Sequence, residues 1–80
     1  MPIEEKIVEI FACYAEFPKE EISIDTEVES LGLSSFSFIQ IIVTIEETYQ
    51  IEFSMEDLQA EKFISIQNCA CRVKELLDGR

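Results

Sequence analysis

Leu31-Gly32-Leu33-Ser34-Ser35-Phe36-Ser37-Phe38-Ile39-Gln40-Ile41-Ile42-Val43-Thr44-Ile45-Glu46-Glu47-Thr48-Tyr49 is the stretch on which the fold turns. A glycine permits a tight turn, two serines follow where a helix can be capped, and a mostly apolar run continues from there. The spacing predicts a helix from Ser35 to Tyr49. Phe36, Ile39, Ile42, Val43 and Ile45 fall near one face, with Phe38 and Ile41 widening it. Gln40, Thr44, Glu46 and Glu47 supply the polar remainder. Several of these residues are β-branched and would tolerate a strand, but the length of the run favours a helix. A helix this apolar sits inside a bundle or presents apolar surface to something else.

Upstream, residues 17–34 read as a long connection. Its apolar residues Ile22, Ile24, Val28, Leu31 and Leu33 can pin it over a core while most of its acids stay outside. Before it, Ile3, Ile7, Ile10, Phe11 and Tyr14 repeat at helical spacing, predicting a first helix from about Ile3 to Glu16. Pro2 suits its first position, and Phe17-Pro18 should end it. Downstream, Ser54-Met55-Glu56-Asp57 has the form of a capping box and should open a short third helix. Ser65 is a plausible cap for a last helix at about 66–77, where Ile66, Cys69, Ala70, Val73, Leu76 and Leu77 share a face and Gly79 follows. The expected fold is all-α: a small four-helix bundle with a long loop between helices 1 and 2 and a short third helix.

The 80 residues have room for one core, so a single domain over 1–80 is expected. Seventeen Asp and Glu against six Lys and Arg leave a net charge of −11. Such a surface repels polyanions and anionic membranes and makes basic protein partners the natural expectation. There is no histidine, which removes His-based triads and imidazole metal sites. Two glycines cannot build a phosphate-cradling loop. Cys13, Cys69 and Cys71 form neither a paired disulfide framework nor a zinc ribbon, so reduced thiols in a cytoplasmic setting are expected. The start lacks the layout of a signal peptide, and the apolar run from Phe36 to Ile45 is about half the ~20 residues that span a bilayer.

Catalytic and metal chemistry find little support. Asp25, Glu27 and Glu29 alternate as in a calcium loop, but the glycine such a loop needs is Ser30 and its closing acid is Phe36. Glu46-Glu47 and Glu56-Asp57 are adjacent pairs that diverge around a helix, with no evident electrophile. Cys69 belongs to an apolar stripe, and Cys71 points to a different face. No enzymatic activity of the chain itself is expected. There remain the two serines at the head of the second helix. One can be its N-cap, and a hydroxyl at a helix N-terminus is also well placed to carry a phosphodiester, because the orphan N–H groups and the dipole favour an anion.

The segment Leu31-Gly32-Leu33-Ser34-Ser35-Phe36 resembles the hallmark Leu-Gly-x-Asp-Ser-Leu of the acyl and peptidyl carrier proteins. The likeness extends to Asp25-Thr26 in the acidic loop, to the run from Ile45 to Ile51, to Phe53-Ser54 and to the stripe from Ile66. The resemblance implies that phosphopantetheine is attached covalently at Ser35 by a phosphopantetheinyl transferase drawing on coenzyme A. The arm's thiol would then hold an acyl or aminoacyl group as a thioester for loading and processing enzymes with basic docking patches. A monomer is expected, and the acidic surface makes neither nucleic acid nor membrane an expected partner. Phe36, Val43, Glu46 and Glu47 are the expected partner-binding residues, with Phe36 as an aromatic anchor and the glutamates meeting basic side chains. Ile39, Ile42, Val43 and Ile64 could line a cavity for an acyl chain or simply fill the core.

Three positions depart from the pattern. The acid that usually precedes the modified serine is Ser34, and two further commonly acidic positions are Ser37 and Gln40. That favours a dedicated carrier in a specialised biosynthetic pathway. The alternative is an unmodified, carrier-like acidic interaction module.

Overall fold

The computed structural model describes residues 2–57 and 64–79. Within them the chain forms three α-helices, α1 (Ile3–Ala15), α2 (Ser35–Tyr49) and α3 (Ile66–Asp78). Two 3₁₀ turns, Lys19–Glu21 and Val28–Leu31, lie in the connection from α1 to α2. Among the described residues there is no β-strand, only an isolated antiparallel bridge between Glu27 and Ser65. The fold is therefore all-helical. The expected short third helix would continue past Asp57 into 58–63, outside the described residues.

α1 begins at Ile3, as the spacing predicts. Pro2 is the extended N-cap residue (ψ 147°) rather than the first helical one, and its carbonyl accepts from the Lys6 N–H. Glu4 and Glu5 then sit in the first turn, at the positive end of the dipole. The helix ends at Ala15, before Phe17-Pro18 is reached, because Glu16 takes the left-handed conformation with φ 61°. Ile7, Val8, Ile10, Phe11 and Ala12 are buried, so the core stripe is wider than the expected one and Tyr14 stands at its edge. The Tyr14 hydroxyl and Thr44 Oγ1 are 2.9 Å apart, tying α1 to α2.

α1 packs against both α2 and α3. α2 contributes Ile41, Ile42 and Ile45 to the core, and α3 contributes Ile66, Cys69, Ala70 and Val73. Ile22 and Leu31 of the long connection are buried on this core, with Ile24, Val28 and Leu33 half-buried. The connection is also held by its backbone. Val28 N–H donates to the Ile64 carbonyl at 2.9 Å, Ile66 N–H to Thr26 at 3.1 Å, and Gln67 N–H to Ile24 at 2.8 Å. These bonds satisfy groups that an apolar loop would otherwise strand, and they seat the start of α3 against it. Ser65 caps α3 as expected. Asn68 completes the box by accepting from the Ser65 N–H at 2.9 Å.

The Ser54–Asp57 box forms in full. Ser54 N–H and Oγ donate to Asp57 Oδ2 at 3.0 and 2.9 Å, and Asp57 N–H donates back to Ser54 Oγ at 3.2 Å. Arg72 of α3 places Nε 2.9 Å from Asp57 Oδ1 and so clamps this turn to the last helix. Burial pushes the Asp57 carboxyl up, but the Ser54 hydrogen bonds and the Arg72 guanidinium outweigh it and hold it below the ordinary aspartate value. A carboxyl lowered on folding contributes stability above its unfolded value and loses it as pH falls through the folded one. Asp57→Asn is thus expected to melt lower than wild type at neutral pH, with the two converging below about pH 4. Equal melting temperatures at neutral pH would contradict the clamp.

Candidate functional site

The head of α2 is built by the turn that precedes it. The 3₁₀ turn Val28–Leu31 buries Leu31 and stops at Gly32, whose φ of 64° and ψ of 30° are left-handed. A Cβ at Gly32 would meet nothing within 4 Å, so the backbone angle and not space calls for glycine. Gly32 N–H closes on the Glu29 carbonyl, the half-buried Leu33 follows, and the chain enters α2 in extended form at Ser34 (ψ 163°).

Ser34 is the cap. Its Oγ accepts from the Ser37 N–H at 3.1 Å and lies 3.2 Å from Ser37 Oγ, to which it donates. Its carbonyl accepts from Phe38 N–H. Ser35, the first residue of the helix, is exposed, and no hydrogen bond of its hydroxyl is found among the described residues. The two serines thus divide the work, one holding the helix end and the other standing free beside it. No acid lies in the first turn of α2, so no carboxylate of that turn offsets the positive end of the helix dipole. Among the described residues no side chain is hydrogen-bonded to the Ser35 hydroxyl, so none of them is placed to take its proton. An exposed hydroxyl next to orphan N–H groups fits a phosphodiester-linked group.

Along α2 the apolar face expected from the sequence splits in two. Ile41, Ile42 and Ile45 turn inward, whereas Phe36, Ile39 and Val43 are 70%, 57% and 43% exposed. Ser35, Ile39, Val43 and Glu47 are successive i, i+4 positions and form one row, with Phe36 and Gln40 beside it. Of the expected contact residues, Phe36, Val43 and Glu47 lie on this surface. Glu46 instead supports the structure. It is half-buried and accepts from the Phe53 N–H at 2.9 Å, while its carbonyl accepts from Ile51 N–H after the left-handed Gln50. That pair of bonds fixes how the chain leaves α2. The four residues that could line a cavity or fill the core are divided. Ile42 is core, while Ile39, Val43 and Ile64 face outward. The shallow groove between Gln50, Ile51, Glu52 and Leu76 lies beyond the other end of α2 from Ser35.

Other chemistry is muted. Burial pushes the Cys69 thiol up to about 12, far from a nucleophilic thiolate, and Cys13 and Cys71 are exposed free thiols. Among the described residues no three acidic or cysteine side chains are grouped to hold a metal. No described helix is long and apolar enough to cross a membrane.

Residues 5–68 match the family described as "Phosphopantetheine attachment site". The chain is 36% identical over 76 residues to the aminoacyl carrier protein of Agrobacterium fabrum (strain C58), covering 92% of each. It is 33% identical over 60 residues to an acyl carrier protein of Syntrophus aciditrophicus, covering 74% of this chain and 75% of that one. The solution structure of the apo doublet acyl carrier protein from prodigiosin biosynthesis superposes with a TM-score of 0.73 at 18% identity. The match takes in 91% of this chain and 35% of the doublet, and bears on the fold alone.

Proposed function

This chain belongs to the phosphopantetheine attachment family, and from that membership we propose that it is a discrete acyl or aminoacyl carrier modified at Ser35. One observation carries the assignment to Ser35. Ser34 takes the capping role, leaving Ser35 Oγ exposed at the start of α2 with no hydrogen bond among the described residues. The turn at Gly32 and the buried Leu31 hold that hydroxyl at a fixed place on the surface, and the orphan N–H groups of α2 receive the phosphodiester charge. When bound, the arm supplies a thiol on which cargo is held as a thioester; the fold only presents it.

In this reading the fold is a four-helix bundle, residues 1–80 act as one monomeric carrier domain, and the protein works in the cytoplasm without catalysing a reaction itself. A phosphopantetheinyl transferase loads it, and loading and processing enzymes with basic patches are drawn by its −11 charge. Phe36, Val43, Glu46 and Glu47 form the contact set, with Glu46 acting mainly through the loop it holds. The likeness to an aminoacyl carrier and the neutral head of α2 support a specialised pathway over housekeeping fatty-acid synthesis.

The test is intact-mass analysis after incubation with coenzyme A and a broad-specificity transferase, followed by fragmentation. A gain of one phosphopantetheine located on Ser35 is expected. An unchanged mass would favour the unmodified interaction module, and an arm on Ser34 or Ser37 would overturn the assignment.

A further inference from the structure

Two sets of contacts reach the loop after α2 from different helices and meet at neighbouring peptide units. From α2, the Glu46 carboxylate accepts the Phe53 N–H at 2.9 Å, and the Glu46 carbonyl accepts the Ile51 N–H at 3.1 Å. From α3, Arg72 Nε lies 2.9 Å from Asp57 Oδ1, while Asp57 Oδ2 accepts the Ser54 N–H at 3.0 Å. Phe53 and Ser54 are consecutive, so the backbone torsions between them serve both anchors at once. Arg72 Nε is buried, and the Asp57 carboxylate is the charge set against it. Without that carboxylate a desolvated guanidinium N–H is left uncompensated. Ile51 and Phe53 turn inward, whereas Glu52, Ser54, Met55 and Glu56 are exposed. A stretch with so little packing of its own depends on its anchors. α1 packs against α2 and against α3, and no packing of like extent joins α2 to α3 among the described residues. The loop is therefore a separate, polar route between them.

We propose that residues 51–57 form a strap, fastened to α2 by Glu46 and to α3 by Arg72, that opens and closes as one unit while the helices stay folded. Opening breaks the Glu46–Phe53 and Arg72–Asp57 contacts together, because the peptide units they hold are neighbours. It returns the Glu46 carboxylate to water and uncovers Ile51 and Phe53. The end of α2 far from Ser35 thus has two displays. When the strap is closed, Glu47 is the outward acid there; when it is open, Glu46 and an apolar edge are added. One shared opening also imposes reciprocity. Weakening either anchor raises the open population, so the effect is felt equally at the other.

The experiment is native-state amide hydrogen exchange on the unmodified full chain, followed residue by residue by NMR across low urea concentrations. In wild type, the Phe53 and Asp57 amides are expected to share one opening constant, larger than that of the Ile45 amide in the core of α2. Their exchange should also depend far less steeply on urea than that of Ile45, because a local opening exposes little surface. Arg72→Gln is expected to speed exchange at Phe53, the remote anchor, roughly tenfold, the loss of one charged hydrogen bond. Glu46→Ala is expected to speed exchange at Asp57 by a similar factor. Glu46→Gln, which keeps an acceptor for the Phe53 N–H, should speed it less. A Phe53 rate unmoved by Arg72→Gln, or an Asp57 rate unmoved by Glu46→Ala, would show two independent anchors and overturn the strap. So would wild-type Phe53 and Asp57 amides that exchange with the opening constant and urea slope of Ile45, a reading that needs no variant to fold.

Discussion

Ser35→Ala is expected to abolish the mass gain completely and to leave the melting temperature almost where it was. Ser34→Ala is expected to do the reverse. Ser35 is exposed at the first helical position, makes no hydrogen bond through its hydroxyl among the described residues, and gives way to the best helix former. Surface changes of that kind stay within about 0.5 kcal/mol. Ser34 accepts the Ser37 N–H, so its replacement orphans a first-turn donor and costs about 1 kcal/mol. In a domain of this size that is a fall of roughly 4–8 °C. Loading of Ser34→Ala should still reach completion, since Ser35 Oγ is untouched. Intact mass and a thermal melt on each variant give four readings. Loading lost in both variants, or in neither, would show that the two serines do not divide the work in this way.

How far the sequence discloses this arrangement differs from residue to residue. The span Ser35–Tyr49 is legible because a cap, a helical period and a length all agree. Which serine is the cap is not, since either hydroxyl can serve and the decision lies in the extended backbone of Ser34. The two-sided character of α2 is hidden for a related reason. Phe36, Phe38, Ile39, Ile41, Ile42, Val43 and Ile45 cover more of the circumference than one neighbour can bury, and the inner set is selected by tertiary packing, with α1 against α2. Ile39 is thus legible as apolar but not as surface. Glu46 reads as a surface acid because its partner is a backbone N–H seven residues on, brought round by the left-handed Gln50, which carries no glycine to announce it. Glu16 ends α1 in the same unannounced way. The bonds joining Ile24, Thr26 and Val28 to the start of α3 use main-chain atoms alone, so no side-chain pattern encodes them.

Phe11→Ala is expected to be more destabilising than any of the surface or capping changes, and its cost bears on how the serine is displayed. Phe11 is fully buried in α1, the helix that packs against both α2 and α3. Removing a buried phenyl group costs about 3–5 kcal/mol in transfer energy and unfilled space. At about 0.05–0.15 kcal/mol per residue, a chain of 80 residues has roughly 4–12 kcal/mol in all. The substitution should therefore bring the midpoint of a thermal melt close to working temperature and that of a urea melt toward zero denaturant, whereas Phe11→Leu, which keeps most of the volume, should cost far less. A loss below about 1.5 kcal/mol for Phe11→Ala would mean that the surrounding isoleucines close the gap and α1 is not the central support. The loading reaction supplies an independent reading. Phe11 does not belong to the Ser35 surface, so each folded molecule of the variant presents the same hydroxyl. Its loading rate should then track the folded fraction measured by circular dichroism. A rate well below that fraction would show that α1 also sets the geometry of the head of α2, through its packing on Ile41, Ile42 and Ile45.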